Sequence, residues 1–75
     1  MINDGYLQVF CDNVRNLRMT HHLSRTAMAK RCGVSLTTLD SLESGVLPKG
    51  MTVKVFFCIS QSFGIPIPQL FQPMG

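Results

Sequence analysis

The sequence predicts an all-α fold in one domain of 75 residues, and three observations support this prediction. Apolar residues recur every three or four positions near both ends of the chain, which is the spacing of one face of a helix. Serines and glycines divide residues 24–45 into two short helices that meet at a sharp turn. A chain of this length has room for one core, which would bury about 60% of the surface of the unfolded chain.

The first helix is predicted over residues 4–20, with Asp4 placed to cap its start. Its apolar residues form one stripe about three turns long. We expect this stripe to pack across the two helices that follow and to serve only as core. The stripe consists of Leu7, Phe10, Val14 and Leu17.

Two short helices are predicted next, over residues 25–32 and 36–43. Ser24 and Ser35 each stand just before one of them, where a serine hydroxyl can accept a hydrogen bond from an exposed N–H group of the first turn. Gly33 lies between the helices, because glycine readily adopts the positive φ that ends a helix. The segment therefore predicts two helices joined by a tight corner.

The helix over residues 36–43 has an inner and an outer face. At about 100° per residue, Leu39 and Leu42 point towards the protein with Glu43 beside them. The opposite side is small and polar, so solvent or a partner must satisfy it. A short exposed helix set at an angle on a preceding helix is the helix-turn-helix arrangement, here residues 24–43, whose second helix enters the major groove of DNA. The outer face carries Thr37, Ser41 and Ser44.

A fourth helix is predicted over residues 53–62, with Thr52 as its cap and Gly64 at its end. Its segment is rich in β-branched and aromatic residues, so a strand after the Pro-Lys-Gly turn is an alternative. Residues 67–71 are predicted to form one or two further helical turns. The inward stripe of the fourth helix consists of Phe56, Ile59 and Phe63.

Charge and hydropathy limit the partners of the chain. Hydrophobic residues make up 45% of the sequence and charged residues 15%, so we expect an ordered domain with some apolar surface covered by a partner. Seven Lys and Arg against four Asp and Glu give a net charge of +3, and five of the seven basic residues lie in the first half of the chain. This distribution suits a polyanion, although an ordinary solvated face explains it equally well.

The three cysteines predict a reducing environment, because they cannot all pair and none forms a C-x-x-C motif. We expect each thiol to pack as a small hydrophobic group. The sequence has no signal peptide and no run of about 18 apolar residues. These features predict a cytoplasmic protein that is neither secreted nor bound to a membrane.

No pattern in the sequence predicts catalysis, a cofactor or a small-molecule ligand. His21 and His22 are adjacent, so their side chains point to different sides, and no third ligand is suitably spaced for a metal ion. We expect both histidines in a solvated loop. The sequence therefore predicts neither an enzyme nor a metal site.

Taken together and in register, motifs over about residues 10–71 resemble the Cro/repressor-type (XRE-like) helix-turn-helix family of bacteria and phages. The resemblance implies a compact five-helix, lambda-repressor-like DNA-binding domain, and it favours a helix over a strand for residues 53–62. The matching residues are Leu17-Arg18, Leu23-Ser24, Met28-Ala29, Gly33-Val34-Ser35, Leu39, Glu43, Gly45, Pro48, Phe56, Ile59, Phe63-Gly64-Ile65 and Leu70-Phe71.

The resemblance also implies site residues for double-stranded DNA. Arg18 is expected to pair with Glu43 and so to tie the first helix to the end of the recognition helix. The candidates for base contacts are Leu36, Thr37 and Ser41. The candidates for contacts to the DNA backbone are Ser24, Arg25, Ser35, Thr38, Ser44 and Lys49.

Two features count against strong DNA binding. Asp40 places a carboxylate on the helix that would approach phosphates, which opposes binding unless the carboxylate accepts a hydrogen bond from a cytosine amino group. The loop 46–49 offers only Lys49 as a basic residue. The base-contact candidates also lack the bidentate side chains that discriminate best between bases. Direct readout of sequence is therefore expected to be shallow.

Two functions follow from these predictions. The first is a small homodimeric transcriptional regulator, acting as a repressor, which binds double-stranded DNA in a sequence-specific manner. The second is a degenerate helix-turn-helix scaffold that serves as a protein-interaction module of the antirepressor or antitoxin kind. The predicted dimer interface consists of Ile65, Ile67, Leu70 and Phe71.

Overall fold

The computed structural model describes residues 4–46 and 53–73. These residues contain no strand, which confirms the all-α class and shows that the strand alternative for the fourth element was wrong. The elements are α1 (Asp4–Thr20), α2 (Arg25–Cys32), α3 (Leu36–Glu43), α4 (Lys54–Phe63) and a C-terminal 3-10 helix (Ile67–Phe71).

The helix bounds follow the local signals in the sequence closely. The first three helices have the predicted bounds, and α4 begins and ends one residue later than residues 53–62. Val53 occupies the position before α4 and makes no side-chain cap, while the predicted cap Thr52 lies outside the described residues.

A single hydrophobic core joins all the elements. Helix α1 packs on α3 and on the C-terminal 3-10 helix, while α2 packs on α3 and α4. The predicted stripe of α1 is buried from Phe10 onwards, whereas Leu7 is half-buried. In α4 the centre of the stripe is Val55 and Ile59, with Phe56 and Phe63 at its edges. The buried apolar residues are Phe10, Cys11, Val14, Leu17, Met28, Ala29, Cys32, Leu39, Leu42, Val55, Ile59 and Leu70.

The cysteines pack mostly as part of this core. Cys11 and Cys32 are buried, Cys58 is half-buried, and all three are free thiols. Burial is the main cause that raises the pKa of Cys32 to about 12, and the neighbouring Cys58 and Glu43 add to it. A thiol with so high a pKa stays neutral and unreactive near pH 7.

Each of the four α-helices ends in the same hydrogen-bonded turn. The N–H of the second residue after the helix cap donates to a carbonyl five residues earlier, which is the Schellman arrangement. The residue between them has positive φ, and at the end of α1 that residue is His22, with φ of 55°. The four hydrogen bonds are Leu23 to Arg18 (2.9 Å), Val34 to Ala29 (3.0 Å), Val46 to Ser41 (2.9 Å) and Ile65 to Ser60 (3.1 Å).

The two histidines therefore do more than fill a solvated loop. His22 takes the left-handed position that the other three turns give to glycine. His21 Nδ1 lies 2.9 Å from the carbonyl oxygen of Leu17, and its ring packs edge-on against Phe63 at 4.9 Å between centroids. The pair thus ends α1 and contacts α4.

The C-terminal 3-10 helix is held on α1 by a buried asparagine. Asn13 is 1% exposed, and its Nδ2 donates to the carbonyl oxygens of Leu70 and Gln72, both at 2.8 Å. Phe71 packs nearby, with its ring 5.5 Å from Phe10 and 5.3 Å from Phe56. These contacts hold the C-terminal 3-10 helix on α1 and α4.

None of the helices in the described ranges has the length and apolar content that a membrane span requires.

Candidate nucleic-acid interface

The corner between α2 and α3 is fixed by hydrogen bonds and by lack of space. Gly33 has φ of 73° and donates its N–H to the carbonyl of Lys30 at 3.2 Å. A Cβ at this position would lie 3.1 Å from Cys58 Sγ, so a side chain would be both strained and crowded. Helix α4 therefore packs against the corner at Cys58, where glycine leaves the space that a side chain would fill.

Serine caps begin both helices of the corner. The Ala27 N–H donates to Ser24 Oγ at 3.1 Å, and the Thr38 N–H donates to Ser35 Oγ at 3.2 Å. Both serines have the extended backbone that a helix cap requires. The caps leave other N–H groups at each helix start free for an anion.

Helix α3 is anchored on one side and open on the other. Leu39 and Leu42 are completely buried against the core. Leu36 is 44% exposed, Thr37 is exposed and Ser41 is half-buried. Of the predicted base-contact candidates, Leu36 and Thr37 are therefore exposed at the N-terminal end of α3, whereas Ser41 is only partly accessible.

The ion pair between Arg18 and Glu43 joins α1 to the end of α3. Arg18 Nε lies 2.7 Å from Glu43 Oε2, and the side chains are only 21% and 10% exposed. The hydrogen bond from Arg18 to Glu43 is the main cause that raises the pKa of Arg18 above its ordinary value. The structure thus brings together the two residues that the resemblance pairs, at a partly buried site.

A second ion pair spans α2 and α3. Arg25 Nη1 lies 3.4 Å from Asp40 Oδ1, with side chains that are 62% and 45% exposed. This contact was not predicted from the sequence, because the two residues are 15 positions apart and meet only when α2 and α3 pack together. An exposed pair of this kind contributes about 0–1 kcal/mol, so it can open readily.

The two ion pairs line one open cleft, which we name the arginine cleft. Its volume is about 280 Å³, and it lies where α1, the start of α2 and the second half of α3 meet. Three guanidinium groups against two carboxylates leave it with one net positive charge. The lining residues are Arg15, Arg18, Arg25, Asp40, Glu43 and Ser44.

The hydroxyl groups proposed for the DNA backbone differ in what they can still donate. Ser35 Oγ donates to Thr38 Oγ1 at 3.0 Å, and Ser44 Oγ donates to the carbonyl of Asp40 at 2.9 Å. Ser24 Oγ and Thr38 Oγ1 act only as acceptors in these bonds, so the O–H group of each is still able to donate a hydrogen bond. Because a phosphate accepts but does not donate, Ser24 and Thr38 are better placed to bind it than Ser35 and Ser44.

The remaining basic residues lie apart from the arginine cleft or beyond the described ranges. The Arg31 guanidinium stacks over the ring of Phe63 at 5.4 Å, which directs it towards α4. Lys49, predicted to contact the DNA backbone, lies outside the described residues. Arg25 and Arg15 are thus the exposed arginines on the side of the cleft.

The predicted dimer interface needs a correction. Leu70 is completely buried in the core of its own chain, because Asn13 draws its backbone onto α1, and its side chain has no surface left for a partner. Ile65, Ile67 and Phe71 are half-buried and keep part of their surface. The large exposed hydrophobic residues of the described ranges lie elsewhere; they are Tyr6, Met19, Leu36, Val46, Val53 and Phe57.

Comparisons of the chain with protein-family models, with curated proteins and with solved structures find no match. The Cro/repressor-type resemblance therefore stays a prediction. Over residues 4–46 and 53–73, no group of three or more His, Cys, Asp and Glu side chains is placed to hold a metal ion.

Proposed function

We propose that this protein binds double-stranded DNA in a sequence-specific manner as a small homodimeric transcriptional regulator, a repressor of the Cro type, in the cytoplasm. Its fold in this proposal is lambda-repressor-like, with the C-terminal 3-10 helix as the fifth helix. One observation carries the proposal: the first turn of α3 is uncovered while the rest of the helix is fixed in place by Leu39, Leu42 and Glu43.

In the proposed complex α3 lies in the major groove. Leu36 would contact a thymine methyl group, and Thr37 would exchange a hydrogen bond with a base edge. Ser41 lies one turn further along and is half-buried, so it would reach a base only if the helix lay deep in the groove. These short side chains give few bidentate contacts, so DNA shape would supply part of the specificity.

The start of α2 would bind the DNA backbone in this complex. Ser24, Arg25 and the free N–H groups of the first turn form a positive end that suits a phosphate. Thr38 supplies a further proton at the start of α3. Such contacts position α3 without reading sequence.

A homodimer would present two copies of α3 to half-sites about 34 Å apart. The surfaces available for such an interface are the exposed parts of Ile65, Ile67 and Phe71, and the α4 pair, which consists of Val53 just before α4 and Phe57 on the helix. Sedimentation velocity of Phe57→Lys against Tyr6→Lys tests the α4 pair. Loss of the dimer in the first variant alone supports the α4 surface, and a monomeric wild-type chain contradicts the homodimer.

The experiment that tests DNA binding is a gel shift with mixed genomic fragments over a salt series. We expect selected fragments to be retarded and their affinity to fall steeply with salt, with a slope of about −0.9 for each neutralised phosphate. The combined variant Arg25→Ala and Thr37→Ala should abolish retardation. The matched control Arg31→Ala and Gln61→Ala removes the same charge from the far end of α2 and an exposed side chain from α4, and it should bind like the wild type.

A protein-interaction module is the second candidate, and the ion pair between Arg25 and Asp40 favours it. That pair neutralises the arginine at the start of α2, and the exposed Leu36 and Val46 add apolar surface near α3. This candidate gains support if no fragment is retarded at low salt. Retardation that depends on Thr37 excludes it as the sole function.

A further inference from the structure

We infer that Asp40 competes with the DNA backbone for Arg25, because the ion pair between the two side chains weakens the binding of Arg25 to a phosphate. This inference rests on the proposed function. It assigns to Asp40 the role of limiting affinity for DNA, in addition to any contact that its carboxylate makes with a base.

The contact geometry supports an exchange of partners. A carboxylate and a phosphate both present acceptor oxygens to the fork of a guanidinium group, so they compete for the same donors. Arg25 Nη1 reaches Asp40 Oδ1 at 3.4 Å, a long contact between two well-exposed side chains. The energetic cost of opening such a pair is small enough for a phosphate to replace the carboxylate.

The neighbouring pair in the arginine cleft shows what a permanent contact looks like. Arg18 and Glu43 are closer, at 2.7 Å, and far more buried. Arg18 also reaches the carbonyl of Leu23, at 3.4 Å, whereas Arg25 has Asp40 as its hydrogen-bond partner among the described residues. The cleft therefore combines one fixed pair, which holds α3 in place, with one exchangeable pair at its entrance.

Charge in the cleft makes the competition effective. Arg15 forms no ion pair with any described residue, so Asp40 and Glu43 are balanced against three arginines. When a phosphate takes Arg25, the carboxylate of Asp40 is left nearby without its partner and repels the phosphate. Asp40 thus weakens DNA binding through Arg25, because the carboxylate occupies the arginine and opposes the phosphate that takes its place.

A double-mutant cycle tests this inference with Asp40→Asn, Arg25→Gln and the two combined. The probe is a fluorescent duplex of about 20 base pairs of random sequence, two helical turns long, because the phosphate contacts do not depend on sequence. Anisotropy titrations between about 50 and 200 mM KCl give the affinity and its salt slope. Asp12→Asn is the matched control, because Asp12 is an exposed carboxylate on α1 that bonds to Gln8 and does not line the cleft.

We expect Asp40→Asn to bind about three- to tenfold more tightly than the wild type. Its salt slope should be steeper by up to about 0.9, because no unpaired carboxylate is left in the complex to retain a cation that DNA binding would otherwise release. Asp12→Asn should change affinity less than about twofold, and Asp40→Asn should gain less than about twofold in the Arg25→Gln background. Thermal melts followed by circular dichroism show that all variants are folded.

Three results would overturn the inference. Equal gains in Asp40→Asn and Asp12→Asn would show a general charge effect and leave the proposed DNA binding intact. A gain that persists in the Arg25→Gln background would show that Asp40 repels DNA without competing for Arg25. Absence of salt-sensitive binding in the wild type and in Asp40→Asn alike would overturn both the inference and the proposed function.

Discussion

Asn13 Nδ2 donates a 2.8 Å hydrogen bond to the carbonyl oxygen of Leu70, 57 residues later in the chain. With the second bond, which is partly buried and goes to the carbonyl of the exposed Gln72, this side chain satisfies two acceptors of the C-terminal segment. Buried carbonyls that lose their donor cost free energy, because water cannot replace it. The stability of the C-terminal 3-10 helix therefore depends on one polar residue of α1.

Asn13→Leu is expected to lower the free energy of unfolding by about 2–3 kcal/mol, because it removes two hydrogen bonds and leaves the buried carbonyl of Leu70 unpaired. Urea denaturation measures the loss. Asn16→Leu is the control, since Asn16 is exposed on the same helix, and it should change stability by less than about 0.5 kcal/mol. Equal losses in both variants would show that the bonds of Asn13 contribute nothing specific.

His22→Gly is expected to stabilise the protein by about 0.5–1 kcal/mol, because glycine adopts positive φ without the steric penalty that histidine bears. Thr20→Gly is the opposite control: it places glycine in the last residue of α1 and should destabilise by about the same amount. The midpoints of thermal or urea unfolding of both variants, compared with that of the wild type, test this prediction. A destabilised His22→Gly variant would mean that the imidazole makes a contact that outweighs the backbone strain.

The two ion pairs of the arginine cleft should differ sharply in their effect on stability. Glu43→Gln leaves the partly buried Arg18 without its charged partner and should cost about 2 kcal/mol, below the 3–5 kcal/mol of a fully buried pair. Asp40→Asn breaks the exposed pair and should cost less than about 1 kcal/mol. Chemical denaturation of both variants at equal ionic strength measures the difference, and similar losses would contradict the distinction between a fixed and an exchangeable pair.

The raised pKa of Cys32 predicts that the folded chain loses stability at alkaline pH. Its pKa is raised from 9.0 to about 12 in the folded chain, so the unfolded chain releases this proton first. The stabilisation is complete below pH 9.0 and declines as the pH rises from there towards about 12. Urea denaturation at several alkaline pH values tests the trend, and Cys32→Ala should flatten it.

The three thiols should also differ in their reactivity. In native protein near pH 8, a thiol reagent such as Ellman's should label the half-buried Cys58 before the buried Cys11 and Cys32.

Local signals allowed the helices to be placed from the sequence. Ser24, Ser35 and the glycines that follow three of the helices act on their own neighbours, so their effect can be read without knowledge of the rest of the fold. The inward face of α3 was predicted from helical geometry, and Leu39 and Leu42 are indeed buried on it. His22 was missed because a residue other than glycine seldom has positive φ, even though histidine is one of the residues enriched there.

Contacts between distant parts of the chain could not be predicted in the same way. Asn13 stands among the apolar residues of α1, yet nothing in its neighbourhood points to the carbonyls of Leu70 and Gln72. The pair of Arg25 and Asp40 likewise arises only once α2 and α3 meet at a defined angle. Leu70 was assigned to a dimer interface because counting apolar residues cannot separate those that close a core from those that remain exposed.

The anchoring of α3 at its far end has a mechanical consequence. Its eight residues span about 12 Å at 1.5 Å per residue, so a tilt of about 5° about Glu43 moves the tip at Leu36 by about 1 Å. A shift of that size is comparable with the tolerance of a hydrogen bond. Arg18 holds Glu43 in place, so a substitution of Arg18 would displace Leu36 at the other end of α3 without contacting it.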